Sequence, residues 1–359
     1  MIKDARQFIG LLVALALISI LPLCTQPEQS PNGLLLKANK PAEIGVWVSG
    51  YYYQSPQFKN NVLDTLRVNN TLVEIRSTDT MPAKYFPISY YIKNGKGVQL
   101  NYLYNRRGDT PVSFIGTRAE RNNYRDSLET VLTMYHPIVL CVEREEGNAD
   151  YYYGPVKLYK KELKKAKGVC KDFGVKLSNG GVTTRNICLL TYRWYQDKGD
   201  TAAASSFGKR CLPDQDVKDL ISRKNKRLED KLLRQDSFMT AYEKYCDWVN
   251  VHWYEPVKAR GEAYNPATDT VSQATPNALI EVVAYIKART GKKTMTNEMG
   301  QINSSPALTL SMLIAAKDAG LQYIGWFSGD LGRGNATSLY TPSGFLTPTG
   351  EEFRRFLSQ

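Results

Sequence analysis

The chain has 359 residues and an ordinary apolar content of 42%, enough to bury a sizeable core as one large domain or two smaller ones. Its formal net charge is +12, but over 157–171 and 218–234 the basic residues are mixed with acids, as on solvated helix faces. That pattern sets nucleic acid aside as a partner and leaves an acidic polysaccharide as a weakly supported one.

The N-terminus carries Lys3 and Arg6, then an apolar run from Phe8 to Leu23. With Gly10, Ser19 and Pro22 inside it, the run is short for a membrane span and fits an export signal. Cys24 follows, then a polar stretch containing Pro27 and Pro31. This segment resembles a bacterial lipoprotein signal, which implies a lipid anchor on Cys24. It departs from that signal at Pro22 and Leu23, where small residues are usual. An ordinary cleaved signal and a retained signal anchor therefore stay open. All three place the body of the protein outside the cytoplasm, at the cell envelope or surface. The expected division is a signal segment over 1–23, a tether over 24–43 and one domain over 44–359.

Beyond the tether, strand-like and helix-like segments alternate. Strands are expected at 44–52, 72–77, 98–104, 137–143, 175–182, 247–253, 293–297 and 321–327. Helices are expected near 57–68, 118–135, 158–173, 276–290 and 307–319, with a short one after 349. The segment 186–245 is helical and longer than a crossover needs, so 201–236 reads as an extra excursion after strand five. Eight strands with intervening helices give a single-domain α/β fold, the (β/α)8 barrel. A doubly wound open sheet is the alternative, and the lack of a Gly-rich phosphate loop disfavours it.

A barrel of this kind places its active site at the C-terminal strand ends. Glu143, Glu145 and Glu146 follow strand four. Asn179 ends strand five, as a polar contact or a turn residue. His252 and Tyr254 end strand six and share a strand face. Glu298 follows strand seven, and Trp326 and Asp330 end strand eight. Trp47 and Tyr51 after strand one either line subsites or pack. The 23 tyrosines offer flat faces with a hydroxyl edge, suited to sugar rings, although most are expected to half-bury at the surface. Only two histidines, His136 and His252, are present, and the cysteines form no CxxC pair. A zinc site and a Ser/His triad are therefore poorly supplied. Cys141 and Cys246 read as small buried hydrophobes, and the odd number of cysteines beyond Cys24 argues against a disulfide framework.

Thr296-Asn297-Glu298-Met299-Gly300, with His252-Trp253-Tyr254 and Gly325-Trp326, is similar to clan A of the retaining glycoside hydrolases. The resemblance runs from about Gly45 to the C-terminus and rests on the order and spacing of these motifs. It implies a nucleophile at Glu298, a tyrosine hydroxyl from Tyr254 on that nucleophile, and an aromatic sugar platform at Trp326, for which core packing is the other reading. It also implies an acid/base glutamate after strand four, which alignment puts at Glu145 and a one-residue shift puts at Glu146. The departure is Arg144, which stands where the clan has an asparagine that binds the sugar. Arg144 either supplies a charged donor there, selects an acidic sugar, or pairs with Glu143 or Glu146. Next to Glu298 and partly desolvated, Glu145 is expected to have a raised pKa, with Arg144 pushing the other way if it points inward.

The expected activity is retaining hydrolysis of an extracellular oligo- or polysaccharide by a monomer without metal or organic cofactor. Asn179, His252 and Arg144 would bind the sugar beside Tyr254 and Trp326. The alternatives are a non-catalytic carbohydrate-binding barrel and a surface component of a polysaccharide-handling assembly.

Overall fold

The computed structural model describes residues 43–48, 55–76, 88–103, 106–107, 110–111, 116–148, 151–152, 154–254, 274–301, 304–328 and 338–359. The segment expected to be an export signal, Cys24, Tyr51 and Asp330 lie outside them. The described residues belong to one compact unit, 41–359.

Eight parallel strands close into a barrel. They are β1 (Glu43–Val48), β2 (Asn70–Arg76), β3 (Gly97–Leu103), β4 (Val139–Val142), β5 (Lys176–Asn179), β6 (Trp248–Tyr254), β7 (Lys293–Gly300) and β8 (Tyr323–Ser328). Each pairs with its sequence neighbours, and β1 closes the ring against β8, with Gly45 opposite Gly325. All four residues of β4 are buried, because one face meets the barrel interior and the other the helices. The closed ring rules out the open doubly wound sheet.

The helices are α1 (Pro56–Thr65), α2 (Ile88–Lys93), α3 (Arg118–Tyr135), α4 (Val156–Phe173), α5 (Thr184–Asp197), α6 (Thr201–Cys211), α7 (Asp214–Ser222), α8 (Lys226–Tyr245), α9 (Ala274–Thr290), α10 (Pro306–Asp318) and α11 (Pro348–Leu357). Their starts are written in the sequence. Ser55, Asp200, Asn225, Ser305 and Thr347 each accept a backbone N–H of the first turn, and Thr117 and Glu120 form a reciprocal capping box. The expected excursion after strand five is a run of four helices, α5 to α8, where an ordinary crossover needs one.

The barrel interior is layered. At its base Val139, Cys141, Met295 and Tyr323 pack together. Above them runs a belt of amides. Asn179 Oδ1 accepts from the Asn250 backbone at 2.7 Å, Asn250 Nδ2 donates to Asn297 Oδ1 at 2.6 Å, and Asn297 Nδ2 donates to Asn101 Oδ1 at 2.9 Å. These side chains are wholly enclosed, so only a belt that satisfies its own donors and acceptors avoids a large burial cost. The five cysteines among the described residues are free and buried, as expected for Cys141 and Cys246.

One strand boundary differs with consequence. The seventh strand was expected to stop at Asn297, but β7 continues to Gly300. Met295 lies opposite Asn250 and Glu298 opposite His252, so β7 spends three steps where β6 spends two. The β8 side shows the same extra residue, between Thr296 opposite Ile324 and Met299 opposite Trp326. This bulge breaks the two-residue alternation. Asn297 can thus join the amide belt while the adjacent Glu298 also reaches Tyr254 on the inner side.

Candidate active site

Tyr254 and His252 follow Asn250 on the inner face of β6. The Tyr254 hydroxyl donates to Glu298 Oε1 at 2.7 Å. Burial first, then the neighbouring Glu298 charge, push the Tyr254 pKa well above its ordinary value, so the phenol stays a donor. His252 is fully enclosed, with Nδ1 2.9 Å from Glu145 Oε1 and 3.7 Å from Glu298 Oε2.

Glu145 arrives from the loop after β4, which turns sharply. Glu143 and Glu145 both adopt left-handed backbone conformations, with φ of 65° and 44°. Such conformations cost non-glycine residues roughly 1–2 kcal/mol each. The turn is wedged against the end of β5, where a Cβ on Gly180 would lie 2.6 Å from the Glu143 carbonyl carbon. The next residue, Gly181 (φ +121°), leaves the space filled by the His252 ring, and a Cβ there would lie 2.1 Å from Nε2. The pair Gly180-Gly181 therefore admits both the acidic loop and the histidine.

Oxygen atoms of Glu145 and Glu298 and a nitrogen of His252 fall within 4.8 Å of one another. Among the described residues no other set of three carboxylate, imidazole or thiol groups is as compact. The cluster carries its own cation. Arg144 Nη2 is 3.6 Å from Glu298 Oε2, and Nη1 is 3.9 Å from Glu74 Oε2. The guanidinium lies over Tyr151 at 4.7 Å and Trp47 at 5.5 Å. Burial lowers the Arg144 pKa, but Glu298 and Glu74 outweigh it and raise it overall.

The expectation of a raised pKa for Glu145 is not met. Burial pushes it up, but the hydrogen bond and charge of His252, the Asn148 amide at 2.9 Å and Arg144 bring it below the usual carboxyl value. The inward guanidinium and the imidazole together outweigh desolvation.

Of the two glutamates competing for the strand-four position, Glu145 is the one brought to Glu298. Glu146 is wholly buried and accepts from Tyr242 of α8 and from Asn179 Nδ2. Burial raises its pKa. Arg144 pairs with Glu298 and Glu74, not with Glu143 or Glu146 as one expectation had it. Asn179, expected to touch sugar, is wholly enclosed and spends its amide on Glu146 and Asn250. It supports the floor of the site instead.

Trp326, expected as the sugar platform, is also wholly enclosed. It packs edge-on against Phe353 of α11, with ring centroids 5.6 Å apart, on the outer face of β8. A ring with no open face cannot stack on a sugar. The inner aromatic at this end of β8 is Phe327, 4.9 Å from Trp47 and 6.5 Å from Tyr254 between centroids. Sequence reasoning missed Phe327, Tyr151, Glu74 and Asn148. None of them carried a distinguishing signal; β8 is buried throughout, so its alternation does not single out Phe327.

No family model matches the sequence, and no curated protein matches it. Solved structures do. A family 26 β-mannanase from Bacteroides ovatus aligns with TM-score 0.53 and 10% identity over 88% of this chain and 88% of its own. A family 128 (subgroup II) endo-β-1,3-glucanase from Sorangium cellulosum aligns with TM-score 0.50 and 16% identity over 87% and 98%. A family 30 endoxylanase from Clostridium papyrosolvens aligns with TM-score 0.50 and 11% identity over 89% and 73%. All three are glycoside hydrolases, and at these identities the likeness is one of fold: this chain is a (β/α)8 barrel of the kind they share.

Proposed function

We propose that the chain is a retaining glycoside hydrolase, with Glu298 as nucleophile and Glu145 as acid/base, acting on an oligo- or polysaccharide outside the cytoplasm. The observation that carries this reading is the approach of Glu145 and Glu298 to within 4.8 Å across the barrel mouth, with the Tyr254 hydroxyl on Glu298. Retaining enzymes hold their two carboxyl groups about 5–5.5 Å apart, close enough for direct attack with no intervening water. Glu298 attacks the anomeric carbon while the Glu145 side donates a proton to the departing oxygen. Water then enters, gives its proton back to the Glu145 side and releases the sugar. The partly exposed rings of Trp47 and Tyr151 border the site and are the aromatic surfaces available to sugar rings. The three fold neighbours are named for cutting mannan, β-1,3-glucan and xylan, which supports a polysaccharide substrate. The signal-like segment and Cys24 support export with a lipid anchor.

A second reading is a carbohydrate-binding barrel without activity. The contact that favours it is Arg144 at 3.6 Å from Glu298, at the face a substrate would approach. That distance exceeds the roughly 2.7–3.2 Å of a hydrogen bond, so the guanidinium does not lock the carboxylate.

The test is a panel of polysaccharides and aryl glycosides, with proton NMR of the first product released. Retention of anomeric configuration is expected. Inversion contradicts the mechanism, and sugar binding without hydrolysis across the panel favours the second reading.

A further inference from the structure

His252 is placed between both glutamates. Nδ1 faces Glu145 Oε1 at 2.9 Å and Glu298 Oε2 at 3.7 Å. The ring is fully enclosed, and Nε2 meets no hydrogen-bond partner among the described residues. The charged and titratable groups around it are Arg144, Glu145 and Glu146 from the loop after β4, Glu298 from β7 and Tyr254 from its own strand. Gly181, at the β5–α5 junction, lies against the ring, and the Thr184 hydroxyl donates to the His252 backbone carbonyl. Three carboxylates, those of Glu74, Glu145 and Glu298, face one guanidinium in this enclosed space. Among the described residues that leaves two negative charges uncompensated, and a second cation at the ring offsets one of them, as buried charges favour.

Building on the glycosidase reading, we propose that the proton given to the leaving sugar is held jointly by His252 and Glu145, resting on Nδ1 and passing through Glu145. In the resting protein the ring carries hydrogen on both nitrogens and Glu145 is a carboxylate. As the bond from the anomeric carbon to the leaving oxygen breaks and the bond to Glu298 forms, the Nδ1 proton passes to Glu145. Glu145 delivers a proton to the leaving oxygen and ends as a carboxylate. The ring is left neutral, with its hydrogen on Nε2. In the second half, water attacks the anomeric carbon, its proton returns through Glu145 to Nδ1, and Glu298 departs as a carboxylate.

The electrostatics agree with this cycle. Burial opposes charge on the ring, yet Glu298 and then Glu145 raise the His252 pKa above its ordinary value, against Arg144. Glycosylation removes the Glu298 charge, the largest of the raising influences. The ring then gives up its proton more readily, which suits the pair to act as base in the second half.

His252→Asn places an amide donor near the position of Nδ1, so it keeps a hydrogen bond to Glu145 but stores no proton. The alkaline limb of kcat/KM is expected to move down by about one pH unit or more, with kcat at pH 7 falling on the order of 10²-fold. An unmoved or raised limb overturns the proposal, because loss of a neighbouring cation raises the pKa of a carboxyl that acts alone. A second measurement needs no change at the site. Nitrogen-15 NMR of the imidazoles, assigned with His136→Gln, is expected to show both His252 nitrogens protonated at pH 7. A neutral ring overturns the proposal whether or not hydrolysis is seen. Absence of hydrolysis with a protonated ring sinks the glycosidase reading, whereas retaining hydrolysis with a neutral ring sinks only the stored proton.

Discussion

The Tyr254 hydroxyl and the Glu298 carboxylate meet at 2.7 Å from neighbouring strands, although a bulge in β7 separates their registers. Tyr254 is opposite Gly300, and Glu298 is opposite His252. The phenol therefore reaches back along the barrel wall to the carboxylate. Tyr254→Phe removes this donor without changing the ring. A hydrogen bond to a charged group contributes about 1.5–3 kcal/mol, so kcat should fall roughly 10- to 100-fold while KM changes little. Steady-state kinetics check this, and circular dichroism should show an unchanged fold.

The same residues show how far the sequence reaches. Eight strands, the pairing of His252 with Tyr254 on one face and the approach of Glu298 follow from strand alternation and from the barrel rule that sites lie at strand ends. Trp326 and Phe327 could not be told apart, because β8 is apolar on both faces and period two then carries no direction. Asn179 looked like a rim residue because nothing in its own segment shows the buried amides of Asn250 and Asn297 that claim it. The Arg144 pairing depends on left-handed backbone at Glu143 and Glu145, which glutamate does not advertise. The same turn sends Glu146 to Tyr242 of α8 and Glu145 to His252 on the inner face of β6.

Arg144 separates the two functional readings. If its guanidinium supports the charge on Glu298 during the reaction, Arg144→Gln should lower kcat/KM by about 10- to 100-fold, the scale of a charged contact. The tyrosine and tryptophan faces over which it lies would remain available to sugar. A rise in hydrolysis on removing Arg144 would identify it as a block on Glu298 and favour binding over catalysis. Initial rates on one aryl glycoside decide between them.

Glu162 makes a prediction about stability that is independent of the site. It is wholly buried within α4, and neither of its carboxylate oxygens has a hydrogen-bond partner among the described residues. Burial and then Glu143 raise its pKa well above the ordinary 4.5. Between that ordinary value and the raised one the folded protein binds more protons than the unfolded chain, so this group lowers stability as pH rises through that window. Glu162→Gln removes the titration. At pH 8 the variant should be more stable than the wild type by about 1–3 kcal/mol, the range for an unsatisfied buried polar group. The gap should narrow toward pH 4. Urea unfolding at pH 4, 6 and 8 measures it, and a variant no more stable than wild type at pH 8 contradicts the assignment.

The most direct test of the central claim is chemical rescue at Glu298. Glu298→Gly removes the attacking carboxylate and leaves a space of its size beside Tyr254 and Arg144. Hydrolysis of an aryl glycoside should be lost, and added azide should restore release of the aryl group with formation of a glycosyl azide of inverted configuration. Undiminished hydrolysis in the variant, or no azide adduct despite a folded protein, would contradict Glu298 as the nucleophile.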